Sequence, residues 1–525
     1  LIRIGLLVIA GVLTLGLVFG RIAERQPFIY ALDDAYIHLS IARNFVEHGV
    51  WGTTRYEFTS STSSPLWTGL IALTYPLLGE MAPLSLNLVF AGLLWIVITM
   101  IAIRCAIPAL YLALALIAII IVYQIERYVL IGMEHVLQVV VNIGFVYLAA
   151  RGVIERPPLR SRLAALIFIF AILVTTARYE GAFLVLVFCL LFAVRLRLTF
   201  AIALGLISIA PLVFYGLIAR AQGWEWLPSS IIINSNRAFF AQAGLVDLVG
   251  YFTLGTVEMI LEDGVLYATL AGCCAALLFR WTRPIPDRVG EIMLIAVILL
   301  IPFHARLVNP EGTHLRYEAY LFPLAITAIL VGLAPFFPTR WSPRVFLLTA
   351  MSLIVALVIG QPWLARLNVL NTHVDVTRSM INIYEQQYQM ARFVARYYPG
   401  EGVGANDIGA INYFADIRNV DLWGLGTLAV IQARSTQTYS RERMDQIMRD
   451  RDAHIAIIYS HWFNDLVGGV PETWIPVGTW RVSQSAILGG DTVTFYALDP
   501  ESATRLAQHL RDFDLPATVE VTLFP

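Results

Sequence analysis

Long apolar runs, separated by short loops that carry most of the local charge, fill the first two thirds of the chain. Runs of that length read as helices able to cross a hydrocarbon core of roughly 30 Å. About eleven are predicted, near residues 4–20, 84–104, 107–123, 135–150, 162–177, 181–195, 198–219, 265–280, 291–307, 318–336 and 345–364. The stretch 66–80 is also apolar but carries Pro65 and Pro76, and reads as a re-entrant or surface helix. No alternating barrel pattern is present. The expected fold class is therefore a polytopic α-helical membrane protein.

Past residue 365 the pattern becomes that of a water-soluble domain. An amphipathic helix is predicted over 380–398, ending at Pro399-Gly400. Short β-like runs follow at Gly402 to Ala405, His454 to Tyr459, Thr492 to Leu498 and Thr518 to Leu523, with helical segments near 441–451 and 501–512 between them. This alternation predicts a C-terminal α/β soluble domain over 366–525, attached to a membrane domain over 1–365 whose first outer loop is 21–83.

Arginine placement orients the chain. Arg104, then Arg151 to Arg162, Arg195 and Arg197, Arg280 to Arg288, and Arg340 and Arg344 fall in alternate loops. The positive-inside rule makes those loops cytoplasmic. The remaining loops hold Asp33 and Asp34, Glu126 to Glu134, Arg178 to Glu180, 220–264 and 304–317, and these fall together on the outer face. The C-terminal domain is then extracytoplasmic and the expected location is the plasma (inner) membrane.

Composition narrows the function classes. At 58% hydrophobic and 14% charged residues, the chain carries more apolar surface than a soluble fold needs. With 36 basic and 37 acidic residues, a nucleic-acid partner has no electrostatic support. Every basic residue is Arg, which suits bidentate phosphate contacts. The four cysteines lie in or beside apolar spans without metal-ligand spacing, so no disulfide framework is expected. The first span lacks a small-residue cleavage site and reads as a retained anchor.

The chemistry-bearing residues sit at the outer ends of the spans. Asp33 and Asp34 precede a helix over 35–48; one carboxylate could cap that helix, and one could serve as a general base while the other orients it or binds a metal. Asp34 and His38 are four residues apart and share a helix face. Glu134 begins a span, where an ion is costly unless it faces a cavity. Arg178 and Glu180 flank a turn between two spans, as an interfacial ion pair or as a phosphate-binding Arg fixed by its Glu. In 304–318, His304, Arg306, His314, Arg316, Tyr317 and Glu318 break the bias of basic residues toward the inside, which points to anion binding. Trp224 and Trp226 read as interfacial anchors or as sugar-stacking rings.

Taken in order, Leu32-Asp33-Asp34-Ala35-Tyr36-Ile37, Ala42 to Gly49, Ser60 to Trp67, Gly132-Met133-Glu134, Arg178-Tyr179-Glu180-Gly181, Leu227-Pro228-Ser229 and Arg316-Tyr317 resemble the GT-C superfamily of polytopic glycosyltransferases, most closely its arabinofuranosyltransferase and mannosyltransferase-like branch. Asn406 to Ala410 and Val420 to Leu425 look like the same branch. Tyr179 stands where that family more usually has Pro, and Ser229-Ser230 where it has Asn-Thr.

The resemblance implies inverting transfer of one sugar, pentose or hexose, from a polyprenyl-monophosphate carrier to an acceptor hydroxyl of a glycan, lipid or protein on the outer face. It implies Asp33 or Asp34 as the catalytic acid-base residue, and Glu134, Arg178 and Glu180 at the matching family positions. Arg178, Arg316 and His314 are the expected phosphate-binding residues, with His38, Glu134, Glu180 and Tyr317 orienting donor or acceptor. Some members of the superfamily need a divalent cation and others do not; Asp33, Asp34 or Glu134 would be its ligands here. A transporter or flippase of lipid-linked sugars is the alternative, although no internal repeat supports it.

Overall fold

Apolar length builds the helices and helix ends build the site. In the computed structural model, described for residues 1–24, 27–234, 244, 247, 250–251, 253–282, 287–307, 316–337 and 376–525, the chain opens with α1 (Ile2–Ala23), whose outer faces remain exposed to the surroundings. Next come α2 (Asp34–His48), α3 (Pro65–Leu78) and α4 (Ala82–Arg104), the last two joined by a 3₁₀ turn at Gly79–Met81. Then follow α5 (Ala109–Ala118), α6 (Ile125–Leu130), α7 (His135–Ile154), α8 (Ser161–Ala177), α9 (Gly181–Val194) and α10 (Leu198–Ala221). Helices Gly264–Trp281, Val289–Leu307 and Leu321–Leu333 complete the bundle among the described residues. The most enclosed span is α7, packed against α4, α8 and Val289–Leu307.

Five described helices are long and apolar enough to cross a membrane, or six if the bent pair Leu254–Leu261 and Leu266–Trp281 counts as one span. This is fewer than the eleven expected. The runs predicted near 107–123, 162–177, 181–195 and 318–336 form helical segments of 10–17 residues, Ala109–Tyr123, Ser161–Ala177, Gly181–Val194 and Leu321–Phe336. Their bounds follow the apolar runs to within three residues. The expected span at 345–364, and the expected domain boundary at 365, lie outside the described residues. The 66–80 stretch is α-helical and continues through its 3₁₀ turn into α4 as one apolar unit.

The C-terminal domain is a six-stranded mixed sheet in the order β2-β1-β3-β5-β4-β6. Its strands are β1 (Gly402–Ala405), β2 (Arg418–Asp421), β3 (Ala453–Ile458), β4 (Ile475–Val482), β5 (Thr492–Ala497) and β6 (Val519–Leu523). The first three are parallel, with Gly404 opposite Val420 on one side and Ala456 on the other. The β3–β5, β5–β4 and β4–β6 pairs are antiparallel. Apolar clusters cover both faces, one around Phe393, Trp480 and Phe495, the other around Met444, Ile458 and Phe463. Four strands and the two later helices lie where the sequence pattern places them. Strand β2 is short and polar, and β4 carries Pro476 and Gly478 at a register shift, so neither shows an uninterrupted β pattern.

Helix α2 joins the two parts. It packs along the short helix Gly409–Phe414 of the α/β domain, and the bundle core runs on into Ala410 and Tyr413.

Candidate functional site

Asp33 and Asp34 are adjacent in sequence, but their carboxylates have different surroundings. The Asp33 side chain turns into the domain junction, where the residue is 4% exposed. It accepts hydrogen bonds from the backbone N–H groups of Gly409 (2.6 Å) and Ala410 (2.8 Å). Those are free donors of the first turn of Gly409–Phe414. At the other end of this helix, Arg43 donates to the carbonyls of Asn412 (3.1 Å) and Tyr413. One helix, α2, thus supplies a carboxyl acceptor to the start and a cation to the end of its neighbour, the latter favourable to the helix dipole. The approach is close: a Cβ on Gly409 would lie 2.0 Å from the Asp33 carbonyl oxygen. The capping expected of the aspartate pair is present, but on a helix 376 residues away in sequence.

Asp34 faces the other way, into a cavity of about 300 Å³ at the same end of the bundle. Its carboxylate accepts from Arg316 Nη1 at 2.5 Å, and the two side chains retain 38% and 21% exposure. His38, one turn along α2, also lines the cavity. Its Nδ1 lies 2.7 Å from Thr68 Oγ1, and its Nε2 lies 3.7 Å from Glu134. Burial lowers the His38 pKa, which keeps the ring neutral at physiological pH.

Glu134 is fully buried at the start of α7 and accepts from Arg178 Nη1 at 2.7 Å. Arg178 also donates from Nη2 and Nε to Glu180, at 2.9 and 3.3 Å. Its guanidinium stands 4.9 Å from the centre of the Tyr317 ring. The Gly132 backbone makes this arrangement reachable. Its φ is +77°, and a Cβ there would come within 2.5 Å of the Tyr30 ring. The chain entering α7 therefore lies against Tyr30 and Ala35 and brings Met133, Glu134 and His135 beside α2.

Of the residues predicted from sequence, Asp34, His38, Arg178, Arg316 and Tyr317 line one cavity. Glu134 and Glu180 hold Arg178 from behind, and Asp33 supports α2 from the junction. His314 lies outside the described residues. His304 is instead buried, with Nδ1 3.2 Å from the Tyr320 hydroxyl and Nε2 3.9 Å from Glu318. Trp224 is buried against Phe58, away from the cavity. Among the described residues no group of three or more His, Cys, Asp or Glu side chains is arranged to hold a metal ion.

The sequence reading assigned no role to the far wall. His135 lines the cavity fully buried, and neither ring nitrogen has a hydrogen-bond partner. Asn406, Asp407, Trp423 and Trp462 come from the α/β domain. They sit where the three parallel strands end: Asn406 and Asp407 after β1, Trp423 after β2 and Trp462 after β3. The chain leaves β1 toward β2 on one side and later returns as β3 on the other. Open α/β sheets bind ligands in the crevice at such a switch point. That rule was the available signal, but it needs the strand order.

Burial, and then the charge of Asp407, raise the Asp33 carboxyl well above the usual range, against the opposing backbone hydrogen bonds. Burial and the charge of Asp34 raise Asp407 in turn, while a hydrogen bond from Gln387 opposes. Asp421 ties down the loop that carries Trp423. It accepts from the N–H groups of Trp423, Gly424 and Gly426 at 2.8, 3.1 and 2.6 Å.

Burial pushes the Asp421 pKa up from 3.8 to about 6. A carboxyl whose folded pKa is raised stabilises the fold below its unfolded pKa, and that contribution is lost as pH rises through the folded value. The wild type should lose stability relative to Asp421→Asn between pH 4 and pH 7, by on the order of 3 kcal/mol. Unfolding midpoints of both proteins in detergent at pH 4.5, 6 and 7.5 measure this. A difference that stays constant with pH would refute it.

A protein-family model described as a domain of unknown function (DUF8728) matches residues 380–496. No curated protein sequence matches the chain. In fold the chain is similar to the crystal structure of ArnT from Cupriavidus metallidurans bound to undecaprenyl phosphate. The TM-score is 0.53, with 14% sequence identity over 94% of this chain and 98% of that one. At that identity the likeness is one of fold.

Proposed function

We propose that the chain is an integral-membrane, inverting GT-C glycosyltransferase that moves one sugar from a polyprenyl-monophosphate carrier to an acceptor hydroxyl on the extracytoplasmic face. The observation that carries this reading is the Asp34–Arg316 pair, partly exposed in a cavity between the apolar bundle and the α/β domain. A lipid-linked donor can lie among the helices with its phosphate at that end. A water-borne acceptor can enter from the domain side. The fold shared with ArnT, crystallised with undecaprenyl phosphate, supports the carrier class.

Asp34 is the base in this mechanism. It takes the acceptor proton while the acceptor oxygen attacks C1 of the sugar from the face opposite the phosphate. The C1–O bond breaks, its electron pair goes to the phosphate, and the anomeric configuration inverts. Charge moves in step. Protonation removes the anion that Arg316 was paired with, as the leaving phosphate gains charge beside the same guanidinium. Arg316 thus exchanges one anion for another.

Arg178 is held by two carboxylates, which makes it chiefly a positioning residue for Tyr317 and the cavity wall. His38 and Glu134 fix the wall behind Asp34. Asp33 orients α2, and with it Asp34, through the domain junction. No step requires a cation.

Purified protein given a panel of polyprenyl-phospho-sugars with a mixed acceptor extract should release polyprenyl phosphate from at least one donor. The absence of release across pentose and hexose donors, from protein that still binds polyprenyl phosphate, would count against transfer and favour a flippase.

A further inference from the structure

We propose that the carboxyl end of the parallel strands is an acceptor subsite for a sugar ring, so that the hydroxyl receiving the transferred sugar belongs to a carbohydrate. The inference rests on the proposed transfer reaction and names its second substrate. Three features on the α/β wall carry it.

The first is a pair of indoles. Trp423 and Trp462 are partly exposed, line the cavity and meet edge to face, with ring centres 4.9 Å apart. Both are held in place: Trp462 Nε1 donates to the Gly489 carbonyl at 3.0 Å, and the Arg434 guanidinium packs 4.5 Å from the centre of the Trp423 ring. Indoles fixed beside carboxylates offer apolar surface to a ligand that is itself half apolar, such as the C–H face of a sugar.

The second feature is Asn406, which is 3% exposed. Its Oδ1 accepts from the Tyr459 backbone N–H at 2.9 Å, which fixes the amide, yet its Nδ2 has no hydrogen-bond partner. A buried amide donor left without a partner costs about 1–3 kcal/mol. A ligand hydroxyl in the cavity would satisfy it.

The third is Asp407, which lines the same wall and accepts from Gln387 at 2.7 Å. A donor and an acceptor side by side match vicinal hydroxyls, each of which can donate and accept. A peptide acceptor would present one hydroxyl among amides, and a lipid acceptor would not match the polar pair.

The test uses full-length protein in nanodiscs and saturation-transfer NMR. The probes are methyl α-D-arabinofuranoside, methyl α-D-mannopyranoside and methyl β-D-glucopyranoside, with glycerol and a serine-containing peptide as controls. At least one glycoside should bind in preference to both controls. Trp462→Ala should weaken it about tenfold, and Asn406→Asp, which keeps the acceptor for Tyr459 but loses the donor, should weaken it several-fold. Polyprenyl phosphate binding, measured on the same samples, should be unchanged in both variants. Binding of the peptide or glycerol as tight as that of every glycoside, or equal glycoside affinity in wild type and both variants, would overturn the subsite. If wild-type protein fails to bind polyprenyl phosphate, the transfer reaction itself is at fault. Polyprenyl phosphate binding without glycoside binding would sink only the acceptor assignment.

Discussion

Asp34→Asn is expected to lower sugar transfer by about 10²–10⁴-fold, the contribution of a positioned general base, while the protein folds and still binds donor. Asn keeps the shape of the side chain and can still accept from Arg316, but it cannot take the acceptor proton. The neighbouring substitution should behave differently. Asp33→Asn replaces one of the two carboxyl oxygens that accept from the Gly409 and Ala410 N–H groups. It should loosen the α/β domain from the bundle, so that it registers first as a lower unfolding midpoint and faster proteolysis between the domains. Activity should fall in proportion to that loss. Parallel assays of transfer, melting and limited proteolysis on both variants separate the roles. Full activity in Asp34→Asn, or an Asp33→Asn protein with wild-type stability and no activity, would reverse the assignment.

The second large effect concerns the buried cluster. Arg178→Leu leaves Glu134, which is fully buried, without its 2.7 Å partner, and leaves Glu180 without its two bonds. Breaking a buried ion pair from one side costs about 3–5 kcal/mol. The variant should therefore express poorly or melt much earlier. Adding Glu134→Gln removes the stranded charge and should recover part of the loss. By contrast, Arg316→Leu disrupts a pair that water already reaches. It should cost little stability and act on donor binding. Thermal melts in detergent, combined with polyprenyl phosphate binding, distinguish the two arginines. A wild-type melt for Arg178→Leu would mean that the cluster does not hold the cavity wall.

The convergence of Asp34, His38, Arg178, Arg316 and Tyr317 was legible in the sequence for a physical reason. Ions are costly within apolar helices, so they collect at helix ends, and span parity decides which ends share a side. The division of labour between Asp33 and Asp34 was not legible, because the partners of Asp33 are backbone groups in another domain. The same holds for Trp423, Trp462 and Asn406. Their strings could be read, but only the order β2-β1-β3 brings them to one crevice. Trp224 shows the converse: an aromatic residue in a loop beside a span reads first as an interfacial anchor and second as a platform, and packing against Phe58 buries it. Of the eleven expected spans, six correspond to long or bent apolar helices and four to apolar helices of 10–17 residues, and the one at 345–364 lies outside the described residues.

The central claim is that the lipid-linked donor meets Asp34 in this cavity. A cryo-EM map of the protein in nanodiscs with a bound, non-hydrolysable polyprenyl-phosphonate sugar tests it most directly. The account predicts phosphonate density against the Arg316 guanidinium and the donor sugar beside Asp34, with the Trp423–Trp462 wall left open to the acceptor. Head-group density at the opposite end of the bundle, or in a passage open to both sides, would contradict it.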